Sequence, residues 1–233
     1  MELPKFEEAT LLKRYKRFLA DVETITGEIQ TVYCPNTGAM SGCSDPYSKV
    51  WLSFSDSKTR KYPKTLEFVE TSGDLIGVRS VFANSLVCEA LVGGVIEGLG
   101  NPKLLQSEPK IPDENGRFDF LYISKSGAVS IEVKSVSWLL KDGRGVFPDS
   151  VSSRALRHLK ALSRRIEIGE RAMLVFCAQH TGIRSIRSAR EIDPRYSDEL
   201  ALSIENGLEV IALGCTNDLV TYEADRVIPF LIG

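Results

Sequence analysis

Two alternating segments between Gly116 and Val136 constrain the fold more than any other stretch of the chain. In the second segment apolar and polar residues alternate strictly, which is the pattern of a β-strand with two different faces. One face carries Val129, Ile131 and Val133, and the other carries Ser130, Glu132 and Lys134. The sequence therefore predicts a strand here with one apolar and one polar face.

The first segment alternates as well, and a short turn joins it to the second. Its residues Phe118, Phe120 and Tyr122 fall on one side of a strand and Asp119 on the other. Residues 125–127 read Lys-Ser-Gly, and glycine accepts the positive φ that tight turns need. We expect a β-hairpin that brings Asp119 close to Glu132 and Lys134.

Two carboxylates and an ammonium group on one face indicate a cation site. Neighbouring carboxylates repel each other, so one of them takes up a proton unless a cation lies between them. Mg²⁺ is held by one or two carboxylates together with waters and substrate phosphates. Lys134 would then orient a water molecule or stabilise charge that develops on a phosphate. The alternative is an ordinary exposed hairpin whose polar face carries a weak surface ion pair.

Longer motifs resemble a known family. Asp119, followed after a turn by Glu132-Val133-Lys134, resembles the PD-(D/E)XK nuclease motif, in which an Asp and a Glu-X-Lys on neighbouring strands bind Mg²⁺. The chain is similar to the sugar fermentation stimulation protein family over residues 11 to 196. The segments that carry this similarity are 34–40 (Cys-Pro-Asn-Thr-Gly-Ala-Met), 60–63 (Arg-Lys-Tyr-Pro), 132–136 (Glu-Val-Lys-Ser-Val) and 147–149 (Phe-Pro-Asp).

The resemblance implies an α+β protein of two domains. Residues 1–79 would form a small OB-like β-barrel that binds DNA, and residues 80–233 an α/β domain of the PD-(D/E)XK nuclease-like kind. It further implies that Asp119 and Glu132 bind Mg²⁺, with Mn²⁺ as a substitute, and that Lys134 is catalytic. The chain departs from the motif at one position, because Phe118 stands where the motif has proline.

The order of elements read from periodicity agrees with that domain. Helical spacing covers residues 80–97 and 150–168, and strand patterns cover residues 104–111 and 172–177 on either side of the hairpin and second helix. This α-β-β-β-α-β order is the core order of the family that the chain resembles. Glu108, near the end of the strand before the hairpin, is expected at the same catalytic site. Glu89, on the first helix, is a weaker candidate ligand, and an exposed surface position is the alternative for both.

Composition places the chain among globular proteins without a membrane segment. Hydrophobic residues make up 43% and charged residues 26%, and no apolar run approaches the ~20 residues that a membrane helix needs. The first eight residues are acidic where a signal peptide would be basic and then apolar, so we predict a cytoplasmic location. The five cysteines are scattered, without a Cys-X-X-Cys pair, and are expected to be reduced thiols.

Any DNA-binding surface must arise from local segregation of charge. The net charge is −2, and the first 85 residues contain 11 basic and 11 acidic side chains. A basic and aromatic cluster lies near the N-terminus, at Lys13, Arg14, Tyr15, Lys16 and Arg17. Basic groups that follow a phosphate backbone, mixed with rings on which bases stack, suit a single-strand-binding groove. The alternative is an edge strand whose charges prevent aggregation.

Two further basic clusters are candidates for DNA contact. The first is Arg60, Lys61 and Tyr62, in a polar loop placed where a barrel loop closes over a ligand. The second is the polar face of the helix 150–168, from which we assign Arg154 and Arg157 to DNA contact. The remaining members of that predicted face are His158, Lys160, Arg164 and Arg165. The alternative for this face is simple solvation.

These observations leave two main hypotheses for the function. The first is a Mg²⁺-dependent deoxyribonuclease in which Asp119, Glu132, Lys134 and Glu108 act on a phosphodiester. The second is a DNA-binding regulator of sugar metabolism, without enzymatic activity, that uses the nuclease fold as a scaffold, since a fold does not fix its chemistry. An enzyme acting on sugars leaves the lysine and the basic faces unexplained. Strand preference and oligomeric state, a homo-oligomer included, stay open.

Overall fold

The N-terminal part of the protein is a closed β-barrel. The structure is a computed structural model that describes residues 1–36, 38–112 and 114–232. The strands of the first sheet are β1 (Glu7–Tyr15), β2 (Leu19–Thr24), β3 (Ile29–Tyr33), β4 (Lys49–Phe54), β5 (Lys64–Thr71) and β6 (Asp74–Gly77). Their order is β3-β2-β1-β4-β5-β6, and β3 also pairs with β5 at Tyr33 and Thr65. This extra pairing closes the five strands β1–β5, which confirms the predicted small barrel.

The N-terminal basic cluster lies on a hairpin between the first two strands. Lys16 and Arg17 form the turn, with positive φ values of 48° and 64°. β1 pairs with β2 on one side and with β4 on the other. It is therefore an interior strand, and the alternative of a protective edge strand does not apply to it.

The second part is a mixed α/β domain with three helices. Its elements are α1 (Val81–Val92), β7 (Pro102–Ser107), β8 (Phe120–Ser124), β9 (Gly127–Val136), β10 (Arg144–Phe147), α2 (Ser153–Glu167), β11 (Arg171–Ala178), β12 (Ser185–Ser188), α3 (Pro194–Glu205), β13 (Glu209–Asn217), β14 (Tyr222–Ile228) and β15 (Phe230–Leu231). The main sheet has the order β14-β13-β11-β9-β8-β7, and β10, β12 and β15 form a small second sheet. The α+β architecture predicted for the chain is thus confirmed.

Several predicted boundaries move by a few residues. The predicted hairpin is present as β8 and β9, with Ser124 paired to Gly127 across the turn. α1 ends at Val92 rather than at residue 97, because Gly93 and Gly94 follow and glycine disfavours the helix. β7 ends at Ser107, so Glu108 lies just beyond the strand.

Both faces of β9 are buried, which differs from the simple hairpin that the sequence suggested. The apolar face, with Ile131, packs in a core that includes residues of α1. The opposite face is covered by α2, and Glu132 on it is only 3% exposed. Phe118 belongs to the core on the α2 side, whereas Phe120 belongs to the α1 side. The alternation predicted for the first segment therefore breaks before β8 begins.

Backbone hydrogen bonds join the barrel to the second part. The Gly77 N–H donates to the Gln179 carbonyl at 2.8 Å, and the Thr181 N–H donates to the Leu75 carbonyl at 3.1 Å. The division predicted at residues 79 and 80 falls in the link between β6 and α1. Within the described part of the chain, none of the helices has the length and apolar character required to span a lipid bilayer.

Candidate functional site

Asp119 is fixed from two sides at the start of the hairpin. It directly precedes β8, and its N–H donates to the Ile131 carbonyl of β9 at 3.1 Å. Its Oδ2 accepts the Val133 N–H at 2.7 Å, and its Oδ1 accepts Nδ2 of Asn84 at 2.7 Å. The carboxylate is therefore held beside β9 by one backbone donor and one side chain of α1.

Glu132 lies in the middle of β9 and carries all its hydrogen bonds on one oxygen. Its Oε1 accepts from Nζ of Lys134 at 2.6 Å and lies 2.6 Å from Nδ1 of His158. Its Oε2 is buried and has no hydrogen-bond partner among the described residues. A buried carboxylate oxygen without a partner costs free energy, so this atom is a candidate ligand for a cation.

The two carboxyl groups have pKa values that are displaced in opposite directions. Burial, followed by the nearby charge of Glu132, raises the pKa of Asp119 above its usual value, although the Val133 N–H and Asn84 lower it. Burial is also the largest effect on Glu132, but the bonds and charges of His158 and Lys134 outweigh it and lower the pKa of that group. Opposed shifts in a close pair are typical of functional sites.

A cleft of about 630 Å³ opens in front of Asp119. Asp119, Phe118 and His158 line it, and the basic residues at its walls are Lys110, Arg117, Arg154 and Arg157. Glu108 borders the same cleft, and its backbone N–H donates to the Asp119 carbonyl at 2.9 Å. Four basic residues around the half-buried Asp119 suit a ligand that carries phosphate.

Lys134 faces a second, smaller cleft between the two parts of the chain. This space, about 330 Å³, is lined by Lys134, Trp138 and Asp149, by Asn36 of the barrel and by Arg154. Arg154 therefore borders both clefts. Glu132 lies buried behind them and joins Lys134 to His158.

The described residues offer few protein ligands for a metal ion at this site. Among the described residues, no three side chains of His, Cys, Asp or Glu lie close enough together to hold an ion. Glu89 lines neither cleft, and its Oε2 binds the N-terminal ammonium group of Met1 at 2.7 Å. The five cysteines are free thiols. An ion at this site would therefore take its remaining ligands from water or substrate, as Mg²⁺ commonly does.

Two residues of the site were not found from the sequence. Asn84 gave no signal that separates it from other polar residues of α1. His158 was placed on the exposed face of its helix, but it is only 6% exposed. Helical spacing nevertheless indicates a buried position, because His158 lies three residues after Ala155 and four before Leu162, both of which are buried.

The basic residues near the N-terminus have different surroundings. The Arg14 guanidinium donates to the carbonyls of Arg17 and Asn36, both at 2.7 Å, and of Gly38 at 2.9 Å. Lys13 pairs with Asp21 at 3.2 Å, and the Tyr15 hydroxyl donates to Asp21 at 2.9 Å. Lys16 and Arg17 have exposed side chains on the turn. None of these five residues lines the Asp119 cleft.

The second predicted cluster forms a small depression on the barrel. Arg60, Lys61 and Tyr62 line about 290 Å³ together with Tyr33. Nζ of Lys61 lies 5.5 Å from the ring centroid of Tyr62. Of the residues predicted to contact DNA, Arg154 and Arg157 of α2 line the Asp119 cleft.

Comparisons with known proteins agree with this architecture. The sequence model of the sugar fermentation stimulation protein RE domain matches residues 81–220, and the SfsA N-terminal OB domain matches residues 12–78. Sugar fermentation stimulation protein homologs are 43% identical in Shewanella woodyi, covering 90% of each chain, and 44% identical in Shewanella loihica, covering 91% of this chain and 92% of the relative. The homolog in Halorhodospira halophila is 43% identical and covers 88% of this chain and 87% of its own length.

A solved structure shares the fold across the whole chain. It is described as the structure of Pyrococcus furiosus SfsA in complex with Ca²⁺, and it superposes with a TM-score of 0.88 at 23% identity. The alignment covers 100% of this chain and 98% of the other. With two family models matched in tandem and relatives above 40% identity, the chain belongs to the sugar fermentation stimulation protein family.

Proposed function

We propose that the protein binds DNA and cleaves phosphodiester bonds at a divalent cation held by Asp119 and Glu132. The observation that carries this proposal is the buried Oε2 of Glu132, which has no partner in the described part of the chain. A cation shared by the two carboxylates would supply that partner. It would also relieve the repulsion that contributes to the raised pKa of Asp119.

The donor set fits a hard cation that prefers oxygen ligands, Mg²⁺ first and Mn²⁺ second. Two carboxylates are what a protein commonly offers Mg²⁺, while waters and phosphates complete the coordination. The Pyrococcus furiosus relative was solved with Ca²⁺, another hard cation, which supports the choice of ion for this chain. When bound, the ion would act as a Lewis acid on a phosphate oxygen.

The chain's own residues have separate roles in this proposal. His158 and Lys134 hold Glu132 in place and keep it ionised through two hydrogen bonds of 2.6 Å. Lys134, whose side chain is 12% exposed, faces the smaller cleft and stabilises negative charge on the phosphate. Arg154 and Arg157 attract the DNA backbone to the mouth of the site. Glu108, an exposed residue beside Asp119, would bind a water of the cation.

A second candidate is a DNA-binding protein that does not cleave. One observation favours it, because the Lys134 ammonium group pairs with Glu132 and His158 is hydrogen-bonded to it without any ion. The absence of a third acidic or histidine ligand among the described residues agrees with it. Under this reading, the basic walls of the cleft and the barrel clusters bind DNA, while the acidic pair is structural.

Incubation with DNA separates the two candidates. Single- and double-stranded DNA are incubated with Mg²⁺, Mn²⁺ or a chelator, using the natural protein, Asp119→Ala and a control, Glu97→Gln, which removes an exposed carboxylate. We expect metal-dependent cleavage that Asp119→Ala loses and Glu97→Gln keeps. Binding without cleavage under all metal conditions, unchanged in Asp119→Ala, would leave the non-enzymatic protein as the better description.

A further inference from the structure

Another buried carboxylate, Glu67 on β5 of the barrel, lines neither of the two clefts beside the acidic pair. Glu67 of β5 is only 2% exposed. Its Oε1 accepts the Ser53 hydroxyl at 2.6 Å and Nη1 of Arg79 at 3.4 Å. Its Oε2 is buried and has no hydrogen-bond partner among the described residues. Neither the acidic pair nor the barrel core accounts for a charge at this position.

Glu67 lines a cleft of about 360 Å³ between the barrel, the N-terminal segment and the start of α1. Arg60 and Arg79 lie at the same cleft. The guanidinium of Arg79 lies over the ring of Phe82, 5.8 Å from its centroid, and Arg60 donates to the Thr65 hydroxyl at 3.4 Å. Both arginines are thus positioned at the rim and can reach an anionic group of a ligand.

Aromatic rings supply flat apolar walls to this cleft. Phe54 lines it and is 66% exposed, so its ring is accessible to a ligand. Phe82, on the α1 side, is stacked on Phe68 with an angle of 11° between the rings, which fixes its orientation. A rigid ring and an exposed ring around a carboxylate are features that bind a planar heteroaromatic group by stacking.

We infer that this cleft binds a guanine base, with Glu67 and Arg79 reading its edge and Arg60 contacting the phosphate. A carboxylate accepts hydrogen bonds, and guanine is the base whose Watson–Crick edge offers two adjacent N–H donors, N1 and N2. Its O6 acceptor lies beside them, where the nearby Arg79 can donate. Thymine presents one N–H between two carbonyls, and adenine and cytosine present an amino group next to a ring acceptor, so each pairs less well with Glu67.

Two sources could supply this base, a free guanine nucleotide or a guanine within a DNA strand. The inference does not depend on catalysis at Asp119 and Glu132, because the Glu67 cleft and the Asp119 cleft share no lining residue. Guanine binding is therefore measured in the presence of a chelator, which prevents any cation-dependent cleavage. Guanine binding should persist in Asp119→Ala even if the proposed nuclease activity fails.

The test uses calorimetric titration of the full chain with dGMP, dAMP and dIMP, the last lacking the 2-amino group. Fluorescence anisotropy compares nine-residue oligonucleotides that are all thymine or carry one central guanine. The variants are Glu67→Gln and Phe54→Ala, with Glu70→Gln as a control on the same strand. Phe54 is exposed, so Phe54→Ala keeps the test decisive if Glu67→Gln does not fold.

We expect dGMP to bind at least about tenfold more tightly than dAMP, with dIMP between them. Glu67→Gln should remove this preference, Phe54→Ala should weaken guanine binding about fivefold or more, and Glu70→Gln should change neither. If only the guanine-bearing oligonucleotide binds, with the same dependence on Glu67, the ligand is a base within a strand. Equal affinity for all bases in both arms, or a guanine preference that survives Glu67→Gln, would overturn the inference.

Discussion

His158 and Glu132 are joined by a buried contact of 2.6 Å between Nδ1 and Oε1. The contact crosses from α2 to the central strand β9, so it couples the helix with the basic side chains to the proposed cation ligand. Lys134 bonds the same oxygen, also at 2.6 Å. One oxygen of the carboxylate is thus fully engaged and the other is left for a ligand.

Removal of His158 should destabilise the protein. His158→Ala removes a hydrogen-bond partner of a buried carboxylate, which is costly because the charge stays behind. We expect a loss of about 2–4 kcal/mol in the free energy of unfolding, measured by urea denaturation. Arg157→Ala, at the exposed neighbouring position, is the control and should change stability by less than about 0.5 kcal/mol. Equal effects of the two variants would contradict this role for His158.

Divalent cations should stabilise the folded protein through Asp119. Any ligand that binds only the folded state adds RT ln(1 + [L]/Kd), or about 2.7 kcal/mol at a hundredfold excess over Kd. We expect Mg²⁺ or Mn²⁺ to raise the unfolding temperature of the natural protein and to leave that of Asp119→Asn unchanged. The quantity to compare is the shift caused by the ion, since Asp119→Asn also disturbs the bonds to Asn84 and Val133. A shift of the same size in both proteins would place the ion elsewhere.

The sequence predicted the elements of the site better than their surroundings. Alternation at Val129, Ile131 and Val133 and the turn before Gly127 are local signals, and the hairpin formed as predicted. That α2 covers the Glu132 face is a tertiary contact, which alternation along a strand does not encode. The position of His158 was readable from helical spacing, but its polar character led to the wrong face.

The same distinction applies to the basic residues. The sequence groups Arg14 with Lys16 and Arg17, although the Arg14 guanidinium is engaged with carbonyls up to 24 residues away. Composition cannot separate an arginine that holds a loop from one that is available to phosphate. The three-dimensional contacts distinguish the two kinds of arginine. A variant of the first kind is expected to lose stability, and a variant of the second kind is expected to lose affinity for DNA.

Arg14→Ala should therefore reduce stability, whereas Arg17→Ala should reduce DNA binding. Arg14→Ala leaves the carbonyls of Asn36 and Gly38 without their donor, and we expect a loss of about 2–3 kcal/mol in the free energy of unfolding. Arg17→Ala, on the exposed turn, should change stability by less than about 0.5 kcal/mol. It should instead weaken DNA binding and reduce the slope of log K against log[salt] by about one, as expected for the loss of one phosphate contact. Anisotropy titrations at several salt concentrations measure that slope.

Ionisation of Glu67 should reduce stability as the pH rises. Burial raises the pKa of Glu67 above its ordinary value, although Ser53 and the charges of Arg79 and Arg60 lower it. Between the unfolded and the folded pKa the folded state binds more protons, so the free energy of unfolding falls as pH increases through that window. Glu67→Gln cannot ionise and escapes this loss. Its stability relative to the natural protein should therefore increase from pH 4 to pH 8, in urea denaturation at a series of pH values. Glu70→Gln removes the same charge from the same strand and serves as the control. If the stability difference between Glu67→Gln and the natural protein does not change with pH, burial does not govern the ionisation of this carboxylate.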